Sequence, residues 1–558
     1  MGFTRTSAIR GTVAAAALLT TLTLMGCPRE QTGHRGQADG RSASAVAPAT
    51  SGAASSSSAS SSAADPVPAG PPRVVPSVRS FTAHPGPGWR PARTARVVAD
   101  PAGPLAAEAR TLAADLSLAA AVPPARPGDL ELLHRQGQPA EGYELAVRGG
   151  RAVITASDPA GAFYGGRTVI QAVRGAGGVP EGVLRDAPDR PQRGLNLDIA
   201  RKHFSAEWIE GRLREMADLK LNQLALHFSD DQGFRIESES HPEIVSPQHL
   251  TKAEVRRIVS LAGVLHITVV PEIDSPGHLG AVINAHPDLQ LKDAQGVAFR
   301  GAVDISRPAA ARIVDDLTRE FAPLFPGPWW HLGGDEYRAL TVSDPQASFP
   351  GLAAAARARY GPQARVQDLA TGWLSDRAAV ARSLGKRPKA WNDGFFRDGV
   401  APPDKGIEVE YWTGKELGAR DPAEYLEEGR TVVNLNDEYL YYVLGEPNDF
   451  RYPTGERIYR EWGVTVLRGD RAVSLPPGSG AGSASGSASG AAATGPDRVP
   501  GGRLAVWCDR PDAQTPEQVA AGIRLPLAAV AQRLWDPRPP ELGWAEFSAL
   551  AGRVVRRS

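Results

Sequence analysis

The sequence predicts an α/β fold in which a (β/α)₈ TIM barrel follows a small α+β domain. From residue 192 onward, short apolar segments alternate with longer amphipathic ones, which is the pattern of a buried parallel sheet covered by helices. Eight repeats of this pattern are typical of a closed barrel. The predicted strands are 194–200, 223–230, 267–274, 329–336, 388–393, 406–412, 431–437 and 504–509, and the predicted helices between them include 206–219, 252–265, 308–325 and 366–384.

The small α+β domain is predicted over residues 73–190. An Ala-rich helical stretch at 105–120 precedes two alternating segments that a Gly149-Gly150 turn joins into a hairpin, and a second helix is predicted at 158–174. The barrel is predicted over residues 191–558. A segment of Gly, Ser and Ala at about 476–500 interrupts it, and we interpret that segment as a flexible surface loop.

The N-terminus carries a targeting signal. Residues 1–26 combine a basic start with an apolar stretch too short to span a bilayer, and Leu24-Met25-Gly26-Cys27 resembles a bacterial lipobox. We expect Cys27 to be lipidated, with an ordinary secretory signal as the alternative. Residues 27–72 are rich in Ser, Ala, Gly and Pro and are predicted to form a disordered tether. The expected location is outside the cell, at the outer face of the cytoplasmic membrane.

Composition excludes several classes of function. The 558 residues contain 62 Lys and Arg and 62 Asp and Glu, so the net charge of zero argues against a nucleic-acid partner. Two cysteines cannot build a disulfide scaffold or a multi-thiolate metal site. If Cys27 is lipidated, Cys508 has no disulfide partner. An enzyme or a solute-binding protein that needs no cofactor or metal remains.

Acidic residues and tryptophans collect at the ends of the predicted strands. In a TIM barrel the active site forms there, at the carboxyl ends of the strands. Carboxylates supply general acids, and tryptophan faces stack on sugar rings, so the pattern favours a sugar site. The residues are Asp198, Asp230, Asp231, Glu272, Asp274, Asp335, Glu336, Trp391, Asp393, Glu410, Trp412, Asp437, Trp507 and Asp509, and Arg201, His278, Asn392 and Asn436 lie among them at the same strand ends.

The sharpest element is His331-Leu332-Gly333-Gly334-Asp335-Glu336. Repulsion between the adjacent carboxylates, together with desolvation, is expected to raise one pKa and to give an acid that is protonated near neutrality. Neighbouring side chains of a strand point to opposite faces, so both carboxylates reach one site only if the chain leaves the strand here. The two glycines make such a turn possible.

This motif is similar to the catalytic signature of glycoside hydrolase family 20, the β-N-acetylhexosaminidases. Residues 193–201, 226–233 and 271–278 resemble the first three barrel strands of that family, and residues 143–171 resemble the small domain that precedes its barrel. The resemblance runs from about residue 73 to the C-terminus. It implies a TIM-barrel hydrolase of β-linked amino sugars.

Within the family the sequence is most similar to the dispersin B-like branch, which cleaves β-1,6-linked poly-N-acetylglucosamine. The segments that carry this resemblance are 391–394, 407–412 and 433–443. The branch and the linkage are therefore expectations that depend on three short stretches.

The family resemblance implies substrate-assisted catalysis with retention, an exception to the scheme with two catalytic carboxylates. The 2-acetamido oxygen of the substrate would attack the anomeric carbon and form an oxazolinium-like intermediate. Glu336 would be the general acid and then the base that activates water. Asp335 would orient the acetamido group and stabilise its positive charge.

Further substrate contacts are implied residue by residue. Arg193 would donate hydrogen bonds to sugar hydroxyls, and Tyr439 would donate one to the acetamido oxygen. The walls of the pocket would be Trp391, Trp412 and Trp507, while Asp274 with His278 would form a supporting dyad near Glu336 and Asp230 would lie on the rim. In place of the family's Trp-x-Glu the chain has Trp507-Cys508-Asp509, which leaves the preference for gluco or galacto sugars open.

Several alternatives remain. A metal-dependent hydrolase would need closely spaced ligands on the first strand, which residues 195–199 lack. A lipid-anchored sugar-binding protein without catalysis is a second rival, although the intact Asp335-Glu336 pair argues against it. Among enzymes, the expected substrate is a β-linked N-acetylglucosamine or N-acetylgalactosamine oligo- or polysaccharide, with a β-1,6-poly-N-acetylglucosamine hydrolase or a lacto-N-biosidase as alternatives. Exo or endo action and oligomeric state stay open.

Overall fold

A computed structural model describes residues 67–446, 448, 450–475 and 498–556. The predicted signal at 1–26, Cys27, the tether as far as residue 66 and most of the 476–500 insert lie outside these residues. Residues 67–72, which the sequence places in the tether, are described, and the side chain of Val67 is buried. The chain from Asp65 onward forms one compact unit. Within its described part, no helix has the length and apolarity needed to cross a membrane.

The small domain contains a seven-stranded mixed sheet. Its strand order is β1-β7-β5-β6-β4-β2-β3, and the hairpin predicted around Gly149-Gly150 is the antiparallel pair of β5 and β6. Asp158 begins the second helix by accepting a hydrogen bond from the Gly161 amide, and Gly177 ends it at a φ of 72°. The elements are β1 (Ser80–Ala83), β2 (Arg96–Val98), α1 (Ala106–Leu116), β3 (Ala119–Ala121), β4 (Leu130–His134), β5 (Tyr143–Arg148), β6 (Arg151–Ala156), α2 (Pro159–Ala176) and β7 (Gly182–Asp186).

The second sheet is the predicted eight-stranded parallel barrel. It closes where Asn434 of the seventh barrel strand pairs with Gly502 of the eighth. An additional short strand, β17 (Tyr441–Val443), pairs with the carboxyl-terminal part of β18. The barrel strands are β8 (Gln192–Asp198), β9 (Gln223–His227), β10 (Thr268–Glu272), β13 (Trp329–His331), β14 (Arg387–Trp391), β15 (Glu408–Tyr411), β16 (Val432–Asn434) and β18 (Gly501–Trp507).

Helices cover the outside of the barrel, and the four predicted between its strands are present. The helix predicted at 308–325 ends at Phe321, because Pro323 continues the chain as a short 3₁₀ turn. The remaining strands are the hairpin β11 (Gln290–Lys292) and β12 (Ala298–Val303). The helices are α3 (Ala206–Asp218), α4 (Lys252–Val264), α5 (Gly280–Ala285), α6 (Pro308–Phe321), α7 (Pro345–Ser348), α8 (Pro350–Tyr360), α9 (Val366–Ser383), α10 (Pro422–Glu427), α11 (Asp437–Leu440), α12 (Gly455–Glu461), α13 (Pro516–Trp535) and α14 (Trp544–Val554).

Charged side chains fill the interior of the barrel. Lys389 pairs with Glu408 and, at 3.1 Å, with Glu410, which also pairs with Arg503. Burial lowers the pKa of Lys389 to about 8 and that of Arg503 to about 10. From Glu410 the contacts continue to His331, whose Nε2 lies 3.5 Å from a Glu410 oxygen. Fixed ion pairs therefore support the strand that leads into the His331–Glu336 motif.

Candidate active site

The Asp335-Glu336 pair lies where the chain leaves β13. The strand ends at His331, five residues before the predicted end, and residues 332–336 are irregular. Gly333 has a φ of 71°, and a Cβ there would overlap a carboxylate oxygen of Asp274, so only glycine fits. Glu336 itself has a φ of 47°, which is uncommon for a residue with a side chain and typical of functional sites. The predicted departure from the strand is confirmed.

His278 brings the two carboxylates together. Its Nε2 lies 3.6 Å from Asp335 and 3.5 Å from Glu336, while its Nδ1 lies 3.3 Å from Asp230. Burial opposes a charged ring, but the surrounding carboxylates outweigh it and raise the pKa of His278 well above its usual value. An imidazolium at this point neutralises part of the negative charge of the site.

The dyad of Asp274 with His278 needs correction. The carboxylates in direct contact with His278 are Asp230, Asp335 and Glu336. Asp274 accepts a hydrogen bond of 3.0 Å from the amide of Gly334 instead. It therefore fixes the turn that presents Asp335, whereas Asp230 is the carboxylate that orients the imidazole.

The two catalytic candidates have opposite electrostatic environments. The Asp335 side chain is 13% exposed, and burial raises its pKa. The Glu336 side chain is 47% exposed, and the hydrogen bond from His278 lowers its pKa. The expected raised pKa thus belongs to Asp335 in the free protein and not to Glu336. Protonation of Glu336 near neutrality then requires that a bound substrate exclude water from it.

The carboxylate of Asp393, which follows β14, contacts two parts of the site. One carboxylate oxygen accepts a 2.8 Å hydrogen bond from the amide of Glu336, and the other accepts a 2.9 Å bond from the indole of Trp412. The sequence placed Asp393 at a strand end but gave it no role. These two hydrogen bonds fix the position of Glu336 relative to the Trp412 ring.

The guanidinium of Arg201 lies among three carboxylates at the carboxyl end of the barrel. Its guanidinium nitrogens lie 3.0 Å from Asp198, 3.0 Å from Asp230 and 3.9 Å from Asp509. The planar group also lies over the Trp507 ring, with its carbon 5.5 Å from the centroid. An arginine fork of this kind suits two adjacent hydroxyls of a sugar.

The assignment of Arg193 to the sugar site is wrong. Arg193 is the second residue of β8, at the amino end of the barrel, and about 17 Å of strand separates it from Asp198. It is fully buried, and its guanidinium donates to the Glu141 carboxylate and the backbone oxygen of Arg190, each at 2.7 Å. These contacts join the small domain to the barrel floor. The arginine at the site is Arg201.

Four aromatic rings form a cluster near Asp335. The centroid of Trp507 lies 5.8 Å from that of Trp391 and 5.9 Å from that of Tyr441, which is 5.6 Å from Trp412. Trp391 is held by a 2.7 Å hydrogen bond from its indole to Glu272. The three predicted tryptophans therefore come together in one aromatic cluster.

Tyr439 does not belong to this aromatic cluster. It lies on α11, its hydroxyl is 3.4 Å from Glu461, and the guanidinium of Arg457 stacks on its ring at 4.0 Å. Tyr441, two residues later, begins β17 and packs between Trp412 and Trp507. Burial and the nearby Asp335 raise the pKa of Tyr441 well above its usual value, so it stays a hydrogen-bond donor. The structure thus places Tyr439 outside the aromatic cluster and Tyr441 within it.

A second small cavity opens on the outer side of Glu336. It is lined by Glu336, Phe396, Glu416 and Leu417, among others, and Leu417 is 66% exposed. An exposed leucine beside a carboxylate offers an apolar surface next to the candidate acid.

The buried histidines and carboxylates of the site also form two groups whose ligand atoms lie within 4.8 Å of one another: His227, Glu272 and Asp274, and Asp274, His278 and Asp335. His227 already lies 2.8 Å from Asp230 and 3.0 Å from Glu272. These atoms serve one another as hydrogen-bond and ion-pair partners within the site.

A parallel barrel with a half-exposed carboxyl group, a neighbouring buried carboxylate and a cluster of aromatic rings at its carboxyl ends is the arrangement expected of a glycoside hydrolase. The chain belongs to glycosyl hydrolase family 20. The family model for the catalytic domain matches residues 191–538, and the model for domain 2 matches residues 71–187.

Relatives agree with this assignment. The chain is 29% identical to the lacto-N-biosidase of Bifidobacterium bifidum over 86% of its own length and 41% of the relative's, and 28% identical to the beta-N-acetylhexosaminidase of Cellulomonas fimi over 75% and 78% of the two chains. It thus spans less than half of the first relative. The structure of a Streptomyces plicatus beta-hexosaminidase variant in complex with product (GlcNAc) has a TM-score of 0.67 at 24% identity, and the match covers 88% of this chain and 98% of that one. This last likeness concerns the fold.

Proposed function

We propose that the protein is a retaining β-N-acetylhexosaminidase that uses substrate-assisted catalysis. The observation that carries this proposal is the division of roles between two adjacent carboxylates. Asp335 is buried beside the pocket of Trp391, Trp412, Tyr441 and Trp507, whereas Glu336 stays half exposed at its edge. The pocket suits the flat acetamido group, and the edge suits the glycosidic oxygen.

The proposed reaction has two steps. In the first, the acetamido oxygen attacks the anomeric carbon while Glu336 gives its proton to the leaving oxygen, and an oxazolinium ion forms. Asp335 orients the acetamido nitrogen and balances the positive charge. In the second, the Glu336 carboxylate removes a proton from water, which attacks the anomeric carbon and restores the acetamido group. The positive charge of the His278 imidazolium offsets part of the negative charge of Asp335 and Glu336.

Aryl glycosides that differ only at carbon 2 test the proposal. We expect turnover of an aryl β-N-acetylglucosaminide and at least ~10³-fold slower turnover of the aryl β-glucoside, since only the former carries the internal nucleophile. Activity should persist in excess chelator. Binding of amino sugars without turnover of any of them would favour the non-catalytic sugar-binding protein, and equal rates on the two glycosides would exclude substrate assistance.

Exchanging a single hydroxyl distinguishes the two tyrosines. We expect Tyr441→Phe to lower kcat/KM about 10- to 100-fold, because the lost hydrogen bond would hold the acetamido oxygen in position to attack the anomeric carbon. The matched variant Tyr439→Phe should stay within about 2-fold of the parent protein, because its hydroxyl contacts Glu461. Steady-state kinetics on the aryl N-acetylglucosaminide measure both. The reverse ranking would restore Tyr439 to the site.

His278 determines the pH dependence that we expect. Its hydrogen bond lowers the pKa of Glu336, and cleavage needs Glu336 protonated, so kcat/KM falls as the pH rises through that pKa. In His278→Leu the contact is lost and the pKa of Glu336 rises. The alkaline limb of the kcat/KM profile should therefore move to higher pH while the maximum decreases. His203→Leu is the control outside the site. An alkaline limb that does not move in His278→Leu would contradict this assignment.

Disaccharide release is a second candidate, favoured by Asp509. The side chain is 47% exposed, lies 3.9 Å from Arg201 and is one methylene shorter than the glutamate that the family resemblance implies. Its carboxylate therefore reaches less far into the pocket and leaves room at the non-reducing end of the sugar. The relative from Bifidobacterium bifidum is named a lacto-N-biosidase. Products from chitooligosaccharides, β-1,6-poly-N-acetylglucosamine, galacto-configured substrates and a Gal-capped N-acetylglucosaminide would separate monosaccharide from disaccharide release and test the dispersin B-like specificity.

We propose further that the protein is anchored through lipid on Cys27. The support is the sequence of residues 1–27 and the long Ser/Ala-rich segment after it. Fatty-acid labelling of the expressed full chain, compared with Cys27→Ser, tests the anchor. Label on both variants, or on neither, would contradict it.

A further inference from the structure

We propose a Zn²⁺-binding site formed by His241, Glu243 and His286, in the loops that follow β9 and β10. His241 Nδ1 and His286 Nε2 each lie 3.0 Å from the same oxygen of Glu243, and the three ligand atoms lie within 4.8 Å of one another. Two imidazoles and one carboxylate that converge in this way leave a coordination position for water, which is a ligand set that Zn²⁺ takes.

The protonation of His241 supports a cation at this point. A neutral imidazole has one N–H and one lone pair. If Nδ1 carries the proton and donates to Glu243, the Nε2 lone pair faces the carboxylate of Asp316, 3.7 Å away. Nε2 is buried and has no hydrogen-bond partner among the described residues.

A metal on Nδ1 resolves this conflict. The proton then sits on Nε2 and points toward Asp316, which becomes the outer carboxylate that metal-bound histidines commonly have. The carboxylate of Glu243 contacts both imidazoles and completes the set of three ligands. His241, Glu243 and His286 thus form the ligand set, and Asp316 is the outer partner of His241.

The site joins two segments that lead away from the active site. His241 and Glu243 lie in the connection that follows β9 and Asp230, and His286 directly follows α5, which begins two residues after His278. The two segments already pack closely, because a Cβ on Gly280 would collide with the backbone of Asp231. A metal here would fasten the loop that carries His278 to the loop that carries Asp230 without touching either residue.

Titration of the full chain, freed of metal and lacking a histidine tag, tests the site. We expect calorimetry at pH 7.5 to show one equivalent of Zn²⁺ bound, with Mg²⁺ and Ca²⁺ not competing, since imidazoles suit neither. Binding should raise Tm and leave kcat/KM within about 2-fold. The affinity should fall as the pH is lowered, because protons compete for the histidines.

Four single variants and one double variant locate the bound ion. His241→Gln and His286→Gln should each weaken Zn²⁺ binding by more than about 100-fold, and Asp316→Asn by about 10-fold as an outer partner. His249→Gln is the matched control, because it lies on the same segment and its Nδ1 lies 2.8 Å from the backbone oxygen of Ser246. Unchanged binding in the first two variants would overturn the proposal, and so would the absence of stoichiometric binding. Zn²⁺ that inhibits the His241→Gln/His286→Gln double variant as strongly as the parent would place the ion in the catalytic site instead.

Discussion

We expect Glu336→Gln to lower kcat/KM for an N-acetylglucosamine disaccharide about 10²- to 10⁴-fold, the range that general acid catalysis supplies. Glutamine has the same shape as glutamate, and the hydrogen bond from the backbone amide of residue 336 to Asp393 is retained. We therefore expect the backbone at this position, with its φ of 47°, to stay in place. What is lost is the proton for the leaving oxygen and the base for water. Single-substrate kinetics with the parent protein and the variant measure the ratio.

The leaving group makes this prediction specific. An aryl glycoside with an acidic phenol needs little protonation, so its first step should be far less impaired in Glu336→Gln than that of the disaccharide. In Asp335→Asn both substrates should lose activity to a similar extent, because Asp335 acts on the acetamido group. Glu416→Gln, on the same outer cavity, is the control and should stay within about 3-fold. A loss in Glu336→Gln that does not depend on the leaving group would remove Glu336 from the acid role.

The barrel could be predicted from the sequence because short buried segments alternate regularly with amphipathic helices over its whole length. The predicted strands extended into the loops, most of all at 329–336, where pairing stops at His331. The reason is a tertiary contact: Gly333 lies against Asp274, which comes from the loop after the neighbouring strand β10. Apolar pattern alone does not contain that information.

The two misplaced residues have different physical causes. Arg193 begins β8, so the rule that barrel sites form at carboxyl ends already favours Arg201, which lies three residues past the end of that strand. Tyr439 is closer to correct, since Tyr441 is two positions away. Between β16 and β17 the chain makes a single helical turn, α11, and the direction of a side chain on one turn depends on its neighbours. Periodicity over four residues cannot settle it.

The acid–base assignment was beyond the sequence for a different reason. Two adjacent carboxylates predict that one pKa is raised, but which one depends on exposure and on His278, which is 58 positions from Glu336 in the chain. Burial selects Asp335, and the imidazolium lowers the pKa of Glu336. Only the folded arrangement defines both effects.

We expect Asp186→Ala to lower the free energy of unfolding by about 3–5 kcal/mol. Asp186 ends β7 of the small domain, and its buried carboxylate accepts hydrogen bonds from Tyr143 at 2.8 Å, Trp535 at 2.9 Å and Lys220 at 3.1 Å. The Lys220 side chain is fully buried, with its ammonium 4.3 Å from the Trp535 ring. Removing the carboxylate leaves that ammonium without its counter-ion in a site that water does not reach.

Two further variants test the physical origin of this loss. Asp186→Asn keeps an oxygen acceptor and should be destabilised less than Asp186→Ala, although the charge is gone. Asp376→Ala, which removes a half-exposed partner of Arg359, should cost less than about 1 kcal/mol. Urea unfolding followed by tryptophan fluorescence and by circular dichroism measures all three. Because Lys220 and Trp535 belong to the barrel and Asp186 to the small domain, the two probes should report one shared transition in the parent protein. A loss in Asp186→Ala no larger than that in Asp376→Ala would show that the barrel does not depend on the small domain for the charge of Lys220.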